Sequence, residues 1–140
     1  MRLFGNIKFV GELFRRGLLQ ESIILSVFDM LMAIESREQL QFINDNTVEG
    51  AVVLMEKIGH LLDTKLEIIE ALEKKATEGG EKLKAIDVDT SDKIRKTFSR
   101  FEELLSEQGE PQVSTRQKML ILNMLDDRKT GWKKSKKLEE

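Results

Sequence analysis

Residues 3–32 read LFGNIKFVGELFRRGLLQESIILSVFDMLM, and their apolar spacing decides the fold class. Leu3, Ile7, Val10 and Phe14 recur at steps of three and four, with Phe4 and Leu13 widening the stripe, which is the repeat of one face of an α-helix. The pattern predicts an amphipathic helix over residues 2–16 that stops at Gly17, where a positive φ has no steric cost and where Arg15 and Arg16 complement the helix dipole. A second helix is expected from Gln20, carrying Ile23, Ile24, Val27, Phe28, Leu31 and Met32 as its apolar set and ending in the polar string from Glu35 to Gln39. Two helices joined by so short a link pack antiparallel.

The same reading extends toward the C-terminus. Asn46-Thr47-Val48-Glu49 has the form of a capping box, so a third helix is expected to open there, with Val48, Val52, Met55, Ile58 and Leu62 as its stripe and a break at Asp63-Thr64. A shorter, charged helix follows over residues 66–75, and Gly79-Gly80 opens a polar loop to Asp92. Ile94, Phe98, Phe101 and Leu105 define the next helix, which Gly109-Glu110-Pro111 ends. The last starts at a second capping box, Ser114 with Gln117, and runs to about Arg128. No segment reads as a strand, because the β-branched pairs Ile23-Ile24 and Val52-Val53 lie inside longer helical patterns. The fold expected is all-α, with six helices in stacked antiparallel pairs.

A length of 140 residues, with 40% hydrophobic and 34% charged residues, suits one globular domain, and no apolar run approaches the length of a membrane span. The N-terminus interrupts its apolar residues with Arg2, Lys8 and Glu12, unlike a secretory signal. The chain has no Cys, which fits a reducing compartment, and the cytoplasm is the expected location. Charge is unevenly distributed: residues 35–110 carry 11 basic and 18 acidic groups, whereas residues 111–140 carry 8 and 4. The basic end, with Lys133, Lys134, Lys136 and Lys137, is expected to be a disordered tail over residues 133–140 that makes weak, salt-dependent contacts to RNA phosphates. Apart from Trp132 it lacks aromatics for base stacking.

One His, no Cys, no Tyr and no phosphate-binding glycine loop leave little with which to build a catalytic site, so a non-enzymatic protein without cofactor or metal is expected. His60 is read as a packing or dipole-complementing residue late in its helix, and the neighbouring pairs Glu102-Glu103 and Asp126-Asp127 as solvated charges. Gly11 and Gly50, each costly inside a helix, point to close helix crossings. Phe9 lies off the main stripe, where either a partner or a neighbouring helix pair would cover it.

Three stretches carry a family resemblance. Residues 5–14, GNIKFVGELF, followed by Gly17-Leu18-Leu19, closely resemble a helix pair in the middle domain of translation initiation factor 4G. Thr47-Val48-Glu49-Gly50 through Ile58-Gly59-His60-Leu61-Leu62-Asp63 is similar to its next helix, and Ser114-Thr115-Arg116 through Leu125-Asp126-Asp127-Arg128 and Gly131-Trp132 to its final one. The resemblance implies a HEAT-like or ARM-like α-solenoid fragment, with residues 1–132 supplying the later helix pairs of the domain and residues 64–92 an insertion or loop. It further implies a scaffold that binds a DEAD-box helicase, initiation factor 4A, and holds it active, besides binding other initiation factors and mRNA. Arg116, Lys118 and Met119 would then lie at or near the helicase-facing surface. Met119 replaces an expected aromatic and Asp127 an expected apolar residue. A related helical scaffold of nonsense-mediated decay or splicing, with the same Gly11-Glu12-Leu13 pattern, is the alternative, as is a non-specific RNA-binding module.

Overall fold

A computed structural model describes residues 2–138 of the chain, and side chains for residues 5–135. Six α-helices are present among them: α1 (Arg2–Arg15), α2 (Glu21–Met32), α3 (Asp45–Gly79), α4 (Ala85–Leu105), α5 (Thr115–Lys129) and α6 (Lys133–Leu138), with a 3-10 helix, Arg37–Phe42, between α2 and α3. No strand occurs among the described residues. The all-α expectation of stacked helix pairs holds. The helix α3 is the spine, packing against α1, α2, α4 and α5, while α2 also touches α4.

The first hairpin forms as its spacing predicts. Ile7 and Phe14 are buried, Leu3 and Phe4 fall outside the described side chains, and Gly17 takes φ +76° to end α1. In α2, Ile24, Phe28, Leu31 and Met32 are buried but Ile23 points outward. The helix stops at Met32 because Ala33 adopts a left-handed φ of 52°, and Asp29 turns back to accept the Glu35 and Ser36 amides at 2.7 and 3.1 Å. Gly11 marks a close crossing, since a Cβ there would meet Lys57 Cδ at 2.8 Å and Leu54 Cδ1 at 3.3 Å.

The central segment corrects the expected break at Asp63 and the expected loop from Gly79 to Asp92, while residues 66–75 are helical as their pattern predicts. A single 35-residue helix runs from Asp45 to Gly79, about 50 Å at the helical rise. Asp63 does not compete for its own backbone because its carboxylate is taken by α5 and Trp132, and Thr64 bonds back to the His60 carbonyl at 2.8 Å, which an unbroken helix allows. The helix ends where Gly80, at φ +72°, donates its N–H to the Ala76 carbonyl. Helix α4 starts at Ala85, leaving only residues 80–84 outside helices, so residues 70–90 form a largely exposed helical hairpin projecting beyond the core.

The N-terminus of α3 is also corrected. The capping residue is Asn44, whose Oδ1 accepts the Thr47 N–H at 3.1 Å while Thr47 Oγ1 accepts the Asn44 N–H at 2.9 Å. Thr47 thus does what Glu49 was expected to do, which frees Glu49 to reach α5. The basic end is not a disordered tail up to residue 138, since α6 occupies Lys133–Leu138.

The largest fully buried side chain is Arg100 of α4. Its Nε donates to the Met32 carbonyl at 2.8 Å, Nη2 to the Glu110 carbonyl at 2.6 Å, and Nη1 to Glu103 at 2.9 Å. A cation thereby meets the free carbonyls at the end of α2 and fastens the α4–α5 connection to it.

Candidate interaction surface of the C-terminal helices

Two groups of polar contacts hold α5 to α3 and a third holds α6 to α5, and these set which face of α5 remains open. The first is centred on Asp63. Arg128 donates to it in forked fashion, with Nε at 3.0 Å from Oδ2 and Nη2 at 2.9 Å from Oδ1, and Trp132 Nε1 donates to Oδ2 at 2.7 Å. The Arg128 guanidinium also lies 3.5 Å over the Phe98 ring, whose centroid is 6.2 Å from that of Trp132. Helices α3, α4 and α5 therefore meet at one ion pair clad in aromatic rings. His60, Asp63, Glu67, Arg128 and Trp132 line an adjoining groove of about 380 Å³. Because α3 continues to Gly79, His60 stands in mid-helix, half-buried, and does not complement a helix C-terminus.

The second group lies at the start of α5. Ser114 Oγ accepts the Gln117 amide at 3.3 Å, as a capping residue should, but the other half of the expected box is absent. Gln117 Nε2 instead donates to Glu49 Oε1 at 2.9 Å, and the Ser114 amide donates to Asp45 Oδ1 at 3.0 Å. Glu49 also pairs with Arg116. The Gln117 amide and the Arg116 guanidinium hold the Glu49 carboxyl below its ordinary range.

The third group is centred on Asp127, which is 6% exposed and so is not one of a solvated pair. Its Oδ1 accepts the Lys134 amide at 2.8 Å, and its Oδ2 accepts the Ser135 amide at 3.2 Å and the Ser135 hydroxyl at 2.6 Å. A carboxylate at an apolar position of the family pattern is thus explained: it satisfies free amides of α6. Burial opposes ionisation of Asp127, but the Ser135 hydroxyl and the two amides outweigh it and keep the pKa below the usual value. Glu56 of α3 has no such donors among the described residues, and burial together with the Asp127 charge raises its pKa.

What remains open on α5 is a face with Met119 at 53% and Leu122 at 43% exposure. Arg116 beside it is exposed, and Lys118 half-buried. Of the sequence-predicted site residues, Arg116, Lys118 and Met119 thus share one turn of α5. Lys133 and Lys134 are exposed at the start of α6, and the side chains of Lys136 and Lys137 lie outside the described residues. Leu122 was not among the residues that the sequence pointed to. Phe9 is 64% exposed. Among the described residues no group of acidic or His side chains is arranged to hold a metal, and no helix is long and apolar enough to cross a membrane.

A family model described as the MIF4G domain matches residues 1–130. No curated protein and no solved structure matches the chain.

Proposed function

Because this chain belongs to the MIF4G domain family, we propose that it is a cytoplasmic translation initiation scaffold that binds a DEAD-box helicase of the initiation factor 4A type. MIF4G domains are helical scaffolds that mediate protein interactions, including with helicases. The observation that carries the reading is the exposed pair Met119 and Leu122 beside Arg116 and Lys118, an apolar patch with cations at its edge on a helix otherwise pinned by part-buried polar contacts. Apolar anchors ringed by charge are the usual composition of an interaction surface on a rigid support.

The mechanism is conformational and not chemical. A scaffold favours the closed arrangement of a two-lobed helicase only by binding it better than the open one, and so raises ATPase turnover without supplying a catalytic group. Other initiation factors would use the remaining faces. Contact with mRNA through Lys133, Lys134, Lys136 and Lys137 would be non-specific and weaken with added salt.

Pull-down of initiation factor 4A with the full chain and with Arg116→Glu and Met119→Glu tests the reading. Retention by the parent chain and loss of at least tenfold in affinity for each variant is expected. Equal retention of all three would reject the α5 face, and no retention of any would reject the helicase partner and favour the scaffolds of nonsense-mediated decay or splicing.

A further inference from the structure

Ser135 stands in α6 between Lys133-Lys134 and Lys136-Lys137. It is 8% exposed, and its hydroxyl and amide both end on Asp127 Oδ2, at 2.6 and 3.2 Å. A helix of six residues is far too short to persist alone in water. Its order depends on packing against α5 and on the three bonds to Asp127. Glu56 and Lys134 line the same cavity of about 210 Å³ as Asp127 and Ser135, and the seat that receives the hydroxyl is the Asp127 carboxylate. A carboxylate oxygen at that distance accepts a hydroxyl donor and repels an anion.

From this arrangement we infer that Ser135 is a phosphorylation site for a serine kinase that selects basic-flanked substrates, and that its modification releases α6 from Asp127. Kinases discriminate among substrates by charge pattern, and two lysines on each side of a serine form such a pattern. The Ser135 Oγ attacks the γ-phosphorus of ATP, the bond from that phosphorus to the β,γ-bridging oxygen breaks, ADP leaves, and the hydroxyl proton passes to solvent. In the docked helix Oγ is enclosed, so transfer proceeds through the opened state of α6, whose population sets the rate. The product carries about −1.5 to −2 charge and has lost the donated hydrogen bond, so at the position of the hydroxyl it meets the Asp127 carboxylate with repulsion, which Lys134 at the rim of the cavity offsets only in part. Trp132 remains in place because its indole bonds to Asp63 and not to α6.

The test is incubation of the full chain with ATP and the catalytic fragment of protein kinase C, followed by site mapping and residue-resolved amide exchange. One phosphate at Ser135, its absence in Ser135→Ala, and loss of amide protection at Lys134 and Ser135 with protection in α5 retained are expected. Asp127→Asn, which weakens the seat, is expected to accelerate transfer about tenfold, the factor for losing one hydrogen bond to a charged acceptor. Should Asp127→Asn prove poorly folded, Ser135→Asp serves in its place and must itself lose protection at Lys134. No phosphate at Ser135 in either the parent or Asp127→Asn, or a phosphorylated chain that keeps protection at Lys134 and Ser135, overturns the inference.

Discussion

Gly59 of α3 lies directly beneath the indole of Trp132: a Cβ at Gly59 would come within 2.5 Å of Trp132 Cη2 and 2.6 Å of Cζ2. The Trp is 3% exposed and holds a left-handed backbone at φ 64°. Ring, glycine and the Asp63 hydrogen bond therefore form a single fit between α3 and the turn after α5.

That fit makes Gly59→Ala destabilising although alanine favours a helix. The gain in helix propensity is about 1 kcal/mol, and overpacking in a filled core costs about 1–3 kcal/mol. A net loss of about 1 kcal/mol in urea unfolding is expected. Gly5→Ala, with nothing within 4 Å of its Cβ, is expected to be neutral or stabilising. Equal effects of the two would show that Trp132 does not rest on α3.

Arg128→Lys removes the fork to Asp63 and the stacking on Phe98 while keeping the charge. A loss of about 1.5–3 kcal/mol is expected, the scale of hydrogen bonds to charged groups. Asp63→Ala should cost more, because it strands both Arg128 and the Trp132 N–H. A double-mutant cycle between positions 63 and 128 measures the coupling, which should exceed about 0.5 kcal/mol.

Arg100 is the most severe site for truncation. Its burial disfavours the charged form and lowers its pKa, against the opposing pull of Glu103. Arg100→Ala leaves the Met32 and Glu110 carbonyls without their donor, and at about 1–3 kcal/mol for each stranded acceptor a loss of about 2–6 kcal/mol is expected. Arg100→Met, which keeps the volume, should recover part of it. Thermal unfolding of the three proteins orders them.

The raised pKa of Glu56 gives stability a specific pH dependence. Its neutral form is the one the fold prefers, so its contribution is fully present below the ordinary glutamate range and is lost as pH rises through the raised value. Glu56→Gln should thus stabilise at pH 7, by up to about 1 kcal/mol for a partly screened charge pair. The advantage should vanish in acid, where both proteins carry a neutral side chain. A constant difference across the titration would show that neither burial nor the Asp127 charge raises the Glu56 pKa.

The helical class was legible from the first hairpin, because the seven-residue, two-turn spacing of Ile7 and Phe14 and the four-and-three spacing of Ile24, Phe28 and Leu31 report a buried face whatever covers it. The stops at Gly17 and Gly80 were legible for a similar reason: left-handed backbone is local, and glycine takes it freely. Of the candidate surface, Arg116, Lys118 and Met119 were named through resemblance, while Leu122 was missed because spacing alone does not say which apolar residues of α5 stay outside. Ala33 carried no signal for its left-handed turn, which Asp29 and Ser36 stabilise from outside.

The amino-acid sequence by itself determined that the chain is built of amphipathic helices, where most of them lie and which apolar stripes they bury. Only the tertiary structure decided that α3 runs through Asp63-Thr64, that Glu49 serves α5 and not its own helix start, and that Asp127 seats α6. The physical reason is common to all three. A polar side chain either competes for its own backbone or pairs across the fold, and the donors that settle the choice for Asp63 and Glu49 stand 65 to 69 residues away.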